Sequence, residues 1–182
     1  NEKIRPFYWR TNKKDLNVPP AEDDNIFEIT PSKEQEQLAT IIHEIETNVL
    51  ARYIRLLQAS TNPALLTEKI DLNNLGFLFD EIDFSVEGAL DSKEIAEAKQ
   101  KTYFDLNVDS IKTPKFEKGL QLIRQLVSEG KKVLVWGMFV GTMRKIHQEL
   151  NNAGIFSHLI YGATPKDDRV DLINEFRDGD VQ

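Results

Sequence analysis

Lys132-Val133-Leu134-Val135-Trp136-Gly137 and His158-Leu159-Ile160-Tyr161-Gly162 are the two stretches on which the reading of the fold turns. Each is a short apolar run, β-branched or aromatic, that stops at a glycine. Each follows a segment with helical spacing. Phe116, Leu120, Ile123 and Val127 share one helical face before the first run, in a segment opened by Pro114 and stopped by Gly130. Met143, Ile146 and Leu150 pattern the segment before the second, and Gly154 stops it. A third helix opens at Pro165 and carries Val170, Ile173 and Phe176 on one side. This alternation predicts an α/β fold, a parallel sheet with helical crossovers. Val133 to Trp136 is apolar at successive positions, the pattern expected of a strand buried on both faces. Loops at the carboxyl ends of such strands bind ligands. The turn Gly162-Ala163-Thr164-Pro165 is one of those loops.

Outward from this region the pattern becomes helical. Residues 25–30 alternate and predict a short strand. Thr30 or Ser32 is placed to cap a helix. Leu38, Ile41, Ile42, Ile45, Val49 and Leu56 then form one stripe, which predicts a single long helix over about 33–59. Asn62-Pro63 ends it, and Pro63-Ala64-Leu65-Leu66 follows as a short apolar plug. Residues 91–104 predict a helix that begins at Asp91 or Ser92. Phe77, Leu78, Ile82 and Phe84 form an apolar cluster among acids. The first 20 residues read as an irregular lead-in interrupted by Pro6, Pro19 and Pro20. After Asp178-Gly179-Asp180 a turn should lead into a further strand and none follows, so the chain is expected to be a piece of a longer protein.

Composition narrows the function classes. The net charge of −7 argues against a protein that simply coats nucleic acid. The charge is unevenly spread. Residues 1–20 carry 5 basic and 2 acidic side chains, residues 21–110 carry 7 and 19, and residues 111–182 carry 11 and 9. The middle supplies the excess acid, as a solvated helical surface would, and the flanks are mildly basic. Local potential rather than the total governs contact with a phosphate backbone. Cysteine is absent, which removes disulfides and thiolate metal sites and fits a cytoplasmic protein. No apolar run has the roughly 20 residues of a membrane span. The start of the chain has no apolar signal core, so secretion is not expected. His43, His147 and His158 are scattered without metal spacing.

Thr164-Pro165-Lys166-Asp167 reads as a helix start, with Thr164 as cap and Pro165 in the first helical position. Unpaired N–H groups at such an end attract anions, phosphate included. Arg169 lies one turn further in, where a forked guanidinium reaches the same anion, and Lys166 adds diffuse charge. Asp167-Asp168 opposes both. The turn Gly137-Met138-Phe139-Val140-Gly141 ends the first run at the same sheet edge. Its glycines either admit a ligand closely or serve only a tight turn. No Gly-rich phosphate loop, dinucleotide fingerprint or Ser/His/Asp arrangement is present. Asp80-Glu81-Ile82-Asp83 follows no buried strand and is set aside as a metal site.

Five landmarks occur in order. They are Phe7-Tyr8-Trp9-Arg10-Thr11 with Leu16-Asn17-Val18-Pro19-Pro20; Ile29-Thr30-Pro31-Ser32-Lys33-Glu34-Gln35; Asn62-Pro63-Ala64-Leu65-Leu66; Lys115 to Phe139; and Tyr161-Gly162-Ala163-Thr164-Pro165 with Arg169 and Phe176. In that order the chain resembles the second motor lobe of Swi/Snf-like proteins, superfamily two helicase-related, ATP-dependent DNA translocases. The resemblance implies a RecA-like parallel sheet with an α-helical insertion. It divides the chain into a lead-in with a short strand (1–30), a helical insertion (31–113) and the first part of the lobe (114–182), cut before motifs five and six. It implies that Gly137, Gly162, Thr164, Lys166 and Arg169 face the DNA backbone, without sequence readout. ATP and Mg2+ would belong to the full-length parent. The fragment would hold no catalytic residue, bind neither cofactor tightly and pair with the missing first lobe. The expected location is the nucleoid of a bacterial cytoplasm or a nucleus. Two departures stand out. Gly137-Met138 replaces the family's serine-glutamine, which leaves only a backbone donor at 137, and the family's histidine between Asn62 and Pro63 is missing. Competing expectations are a non-enzymatic interaction domain with an acidic helical surface, and a small Rossmann-like enzyme.

Overall fold

A computed structural model describes residues 23–70 and 92–179. Local signals place the first helices. Ser32 opens α1 (Lys33–Ile45): its Oγ accepts from the Gln35 N–H at 3.3 Å, while Gln35 Oε1 accepts from the Ser32 N–H at 3.2 Å. This reciprocal capping box satisfies two N–H groups at once. The single helix expected over 33–59 is broken. α1 ends at Ile45, and α2 (Val49–Thr61) restarts behind Asn48, whose Oδ1 accepts from the Ala51 N–H at 3.0 Å. At the break the Glu46 carboxylate is buried. There Lys99 Nζ lies 2.8 Å from Oε2, the Tyr103 hydroxyl donates to Oε1 at 3.1 Å, and Arg55 Nε lies 3.7 Å away. Glu46 lies one turn beyond Ile42 and two beyond Leu38, on the same buried face of α1.

Pro63 ends α2 and opens a 3-10 turn, Pro63–Thr67. α3 (Lys93–Asp105) starts behind Ser92, one of the two expected positions, and a second 3-10 turn spans Val108–Ser110. Leu38 and Ile42 of α1, Ala59 of α2, Leu66, Tyr103 of α3 and Val108 form one apolar cluster. Each large aliphatic side chain buried there contributes about 1.5–3 kcal/mol. The buried Gln35 carboxamide donates to the Ala59 carbonyl at 3.0 Å and ties α1 to the end of α2.

The second half packs separately. α4 (Pro114–Ser128) and α5 (Val140–Asn152) bury Leu120, Ile123 and Leu150 against Phe116, Val127, Ile146, Val133, Val135 and Ile155. Both helices end on a glycine at φ +76°, Gly130 and Gly154. The following N–H groups fold back, Lys131 to the Leu126 carbonyl at 3.0 Å and Ile155 to the Leu150 carbonyl at 2.9 Å. This is the left-handed stop that glycine makes cheaply. A hydrogen bond and an apolar contact join the halves at their borders. Thr113 Oγ1 donates to the Thr61 carbonyl at 2.9 Å, and Met138 and Phe139 pack on Leu50 and Ile54 of α2.

The α/β expectation is overturned. Among the described residues there are helices and no strand, so the RecA-like parallel sheet is replaced by an assembly of helices. Residues 132–137 and 155–161 are non-helical, yet no backbone ladder joins them. Val133 and Val135 turn toward α4 and α5, while Leu134 is 67% and Trp136 87% exposed. Burial with a period of two marks one covered face, not the two that a continuous apolar run predicted. A β-branched run fits a strand, but a strand forms only where a neighbour supplies its hydrogen bonds and packing. The same reason removes the strand expected at 25–30, where Ile26 and Phe27 are exposed.

α6 (Lys166–Asp178) buries none of its residues, and Val170 and Ile173 are exposed. It is held at its C-terminal end by Lys132, whose Nζ donates to the carbonyls of Phe176, Arg177 and Gly179 at 2.6, 3.0 and 2.9 Å. A cation there also opposes the negative end of the helix dipole. Among the described residues no helix is long and apolar enough to cross a membrane. The lead-in, the Phe77–Phe84 cluster and Asp80-Glu81-Ile82-Asp83 lie outside the described residues.

Candidate nucleic-acid interface

The turn before α6 is built from its own backbone. The Thr164 N–H donates to the Tyr161 carbonyl at 3.0 Å, and Thr164 Oγ1 accepts from the Tyr161 N–H at 3.1 Å. Thr164 is therefore not the helix cap that the sequence predicted. Its hydroxyl is used backwards on Tyr161, and Pro165 holds the cap position without a side-chain bond. The first backbone bond at this end runs from the Arg169 N–H to the Pro165 carbonyl at 3.1 Å. The N–H groups of Lys166, Asp167 and Asp168 meet no backbone partner among the described residues. Such groups favour an anion. Asp167 and Asp168 in the same turn already supply negative charge and compete with one that arrives.

Arg169 is the keystone of this turn. Its Nε donates to the Thr164 carbonyl at 2.8 Å, and its Nη2 donates to the carbonyls of Tyr161 at 3.2 Å and Gly162 at 2.9 Å. Most of the guanidinium fork is thus spent on shaping the loop, and Nη1 is the part with no such bond. Lys166 is exposed. A Cβ at Gly162 would meet nothing within 4 Å, so packing does not demand glycine there. Gly137 differs: a Cβ would run into Met143 Sδ, so this glycine lets the backbone pass close to α5.

Four of the five expected residues, Gly162, Thr164, Lys166 and Arg169, are gathered in one turn and helix start. Gly137 sits apart from them. It lines an apolar cavity of about 330 Å³ with Phe116, Leu120, Trp136 and Met143. The two turns nevertheless share a second cavity of about 580 Å³, which Met138, Phe139 and Gly141 line from one side and Tyr161 and Ala163 from another. Leu65 of the Pro63–Thr67 turn and Lys69 just beyond it reach the same space.

Sequence reading missed Arg144 and Lys69 on this cavity. Arg144 lies on α5 with its guanidinium 5.1 Å from the centroid of the Tyr161 ring, and its Nη2 donates to the Tyr161 hydroxyl at 3.3 Å. A cation stacked on an aromatic face is held in place while keeping its charge. Nothing at residue 144 alone announces this, because the partner ring comes from a separate loop. The histidines keep local company. His147 Nδ1 lies 2.9 Å from Ser157 Oγ, and His158 Nε2 lies 2.9 Å from Glu175 Oε2. Among the described residues no group of three His, Asp or Glu side chains converges as a metal would require. Comparison with family models, with curated proteins and with solved structures found no match for this chain.

Proposed function

We propose that the chain is part of the second motor lobe of a Swi/Snf-like, ATP-dependent DNA translocase. In this reading Gly137, Gly162, Thr164, Lys166 and Arg169 serve contact with the DNA sugar-phosphate backbone. The observation that carries the proposal is that the two turns the resemblance assigns to phosphate contact line one cavity, through Met138–Gly141 and through Tyr161 and Ala163. The five ordered landmarks support it from the sequence side. Thr164 and Arg169 shape the loop, the Gly162 backbone presents it, and Lys166 with the open N–H groups of α6 supplies the charge. Contacts of this type position a protein on DNA without reading its sequence. ATP hydrolysis and Mg2+ belong to the whole protein, which would work beside DNA in a nucleoid or a nucleus, and this chain alone is expected to be inactive.

A second reading, a non-enzymatic interaction domain, draws support from the helical fold and from the exposed acids Glu34, Glu36, Glu94 and Glu97 on α1 and α3. Binding to a fluorescent duplex across a salt series separates the two. Under the motor reading wild type binds weakly and binding falls with salt, while Lys166→Ala lowers the salt slope by about 1. Lys166 makes no bond that shapes the fold, so its loss tests charge alone. Salt-independent binding, or a slope unchanged in the variant, would reject the backbone contact and leave the interaction domain.

A further inference from the structure

The cavity of about 580 Å³ has a wall that the two turns do not explain. Gln58 of α2 lines it, and only 6% of this residue is exposed. Arg55 Nη1 donates to Gln58 Oε1 at 3.0 Å. Arginine only donates, so this bond fixes which end of the carboxamide is oxygen. Nε2 is left as the free donor of a side chain that lines the cavity, and it makes no hydrogen bond among the described residues. The side chain is otherwise enclosed, so an acceptor in the cavity would meet a donor already held in place by Arg55.

The opposite wall is the start of α5. Phe139 holds its cap position without a side-chain bond, and no acid lies in its first turn. Val140 and Gly141 line the cavity, and their N–H groups have no backbone partner among the described residues. This differs from α6, whose first turn carries Asp167 and Asp168. Arg144, fixed by the Tyr161 ring, and Lys69 lie on the same lining, where Glu68 is the one acid among the described residues. Lys145 also lines the wall, but its ammonium lies over the Phe116 ring at 5.1 Å.

We infer that this cavity binds a phosphate group, held by Gln58 Nε2, the N–H groups of Val140 and Gly141, and the Arg144 guanidinium. A neutral side-chain donor, two backbone donors at a positive helix end and one oriented cation form a set that accepts an oxyanion and rejects a cation. The site is separate from the α6 start, but it lies in the cavity that carries the translocase reading and deepens that reading. A nucleic-acid backbone and a small phosphate ester both present this group.

The test titrates inorganic phosphate into the 15N-labelled chain at constant ionic strength, with chloride as the control, and follows the amides of Val140 and Gly141 and the side-chain amide of Gln58. Saturable shifts with phosphate alone are expected. Arg144→Ala should weaken binding about 10-fold, the loss of one charge-assisted hydrogen bond. Gln58→Glu keeps an acceptor for Arg55 but replaces the donor with a repelling carboxylate, and should weaken binding at least as much. Dispersed spectra confirm that each variant is folded, and Arg144→Ala decides alone if Gln58→Glu is not. No saturable shift, the same shift with chloride, or wild-type affinity in a folded variant overturns the site. A duplex that displaces phosphate assigns it to a nucleic-acid backbone. A duplex that does not, while phosphate binds, assigns it to small phosphate esters and counts against the backbone contact proposed above.

Discussion

Replacing Glu46 with alanine is the most informative perturbation of the folded core. Its side chain is 2% exposed, and two cationic side chains converge on it, Arg55 at 6% and Lys99 at 12% exposure. The Tyr103 hydroxyl completes the set. The variant would leave both cations desolvated without their anion. Removing one partner of a buried ion pair costs about 3–5 kcal/mol. Arg55 limits the damage, because Nη1 and Nη2 also donate to the carbonyls of Leu65 at 3.0 Å and Glu68 at 2.9 Å. The lower end of that range is therefore expected, about 3 kcal/mol, or a fall in Tm of roughly 6–12 °C for a chain of this size. Urea unfolding followed by circular dichroism measures it. Glu46→Gln, which keeps the shape and the Tyr103 acceptor, should lose about 1.5–3 kcal/mol. A loss below about 1 kcal/mol in the alanine variant would place the group among surface ion pairs. The reading of Glu46 as the buried anion that joins α1 to α2 and α3 would then fail.

The remaining predictions concern the helix ends and the join between the halves. Lys132→Met should cost about 0.3–1 kcal/mol and speed amide exchange in the last turn of α6 while sparing α1, because the ammonium holds three carbonyls there. Uniform exchange rates across wild type and variant would show that α6 is fixed by something else. Gly141→Ala sets a Cβ 2.5 Å from Leu65 Cδ2, so overpacking of about 1–3 kcal/mol is expected, seen as a lower urea midpoint with an unchanged slope. At the start of α1 the Glu34 backbone N–H, and after it the Ser32 hydroxyl, hold the Glu34 carboxyl below its ordinary range. A lowered value means stabilisation that is complete above the ordinary carboxylate range and fades as pH falls through the lowered one. Acid titration of helicity should lose that component in Glu34→Gln, and identical curves would refute it.

Local chemistry was legible and long-range chemistry was not. Ser32, Ser92, Pro63, Pro114, Gly130 and Gly154 mark the same helix ends in sequence and in structure, because capping and backbone limits act within one turn. The break at Glu46–Asn48 was missed because the apolar stripe runs on through it, and the carboxylate's partners lie on α2 and α3. Val133–Trp136 was misjudged because strand formation depends on neighbours that a run of valines cannot specify. Arg169 was recognised as special, but its bonds to Tyr161, Gly162 and Thr164 depend on the path of the loop. Gln58 gave no signal at all, since its orientation is set by Arg55 and by the Leu65 and Glu68 carbonyls that hold Arg55 in turn.

The outward face of residues 132–137 also governs how the chain behaves as a material. Leu134 and Trp136 stand in water beside backbone that makes no ladder, and Phe156, Ile160, Val170 and Ile173 are further exposed apolar side chains in the same half. Neighbouring molecules in a concentrated sample would meet there first, through greasy contact and borrowed amide pairing. The net charge of −7 supplies a repulsion that salt screens. Clouding and rising light scattering should therefore begin on adding salt, well before any helix melts.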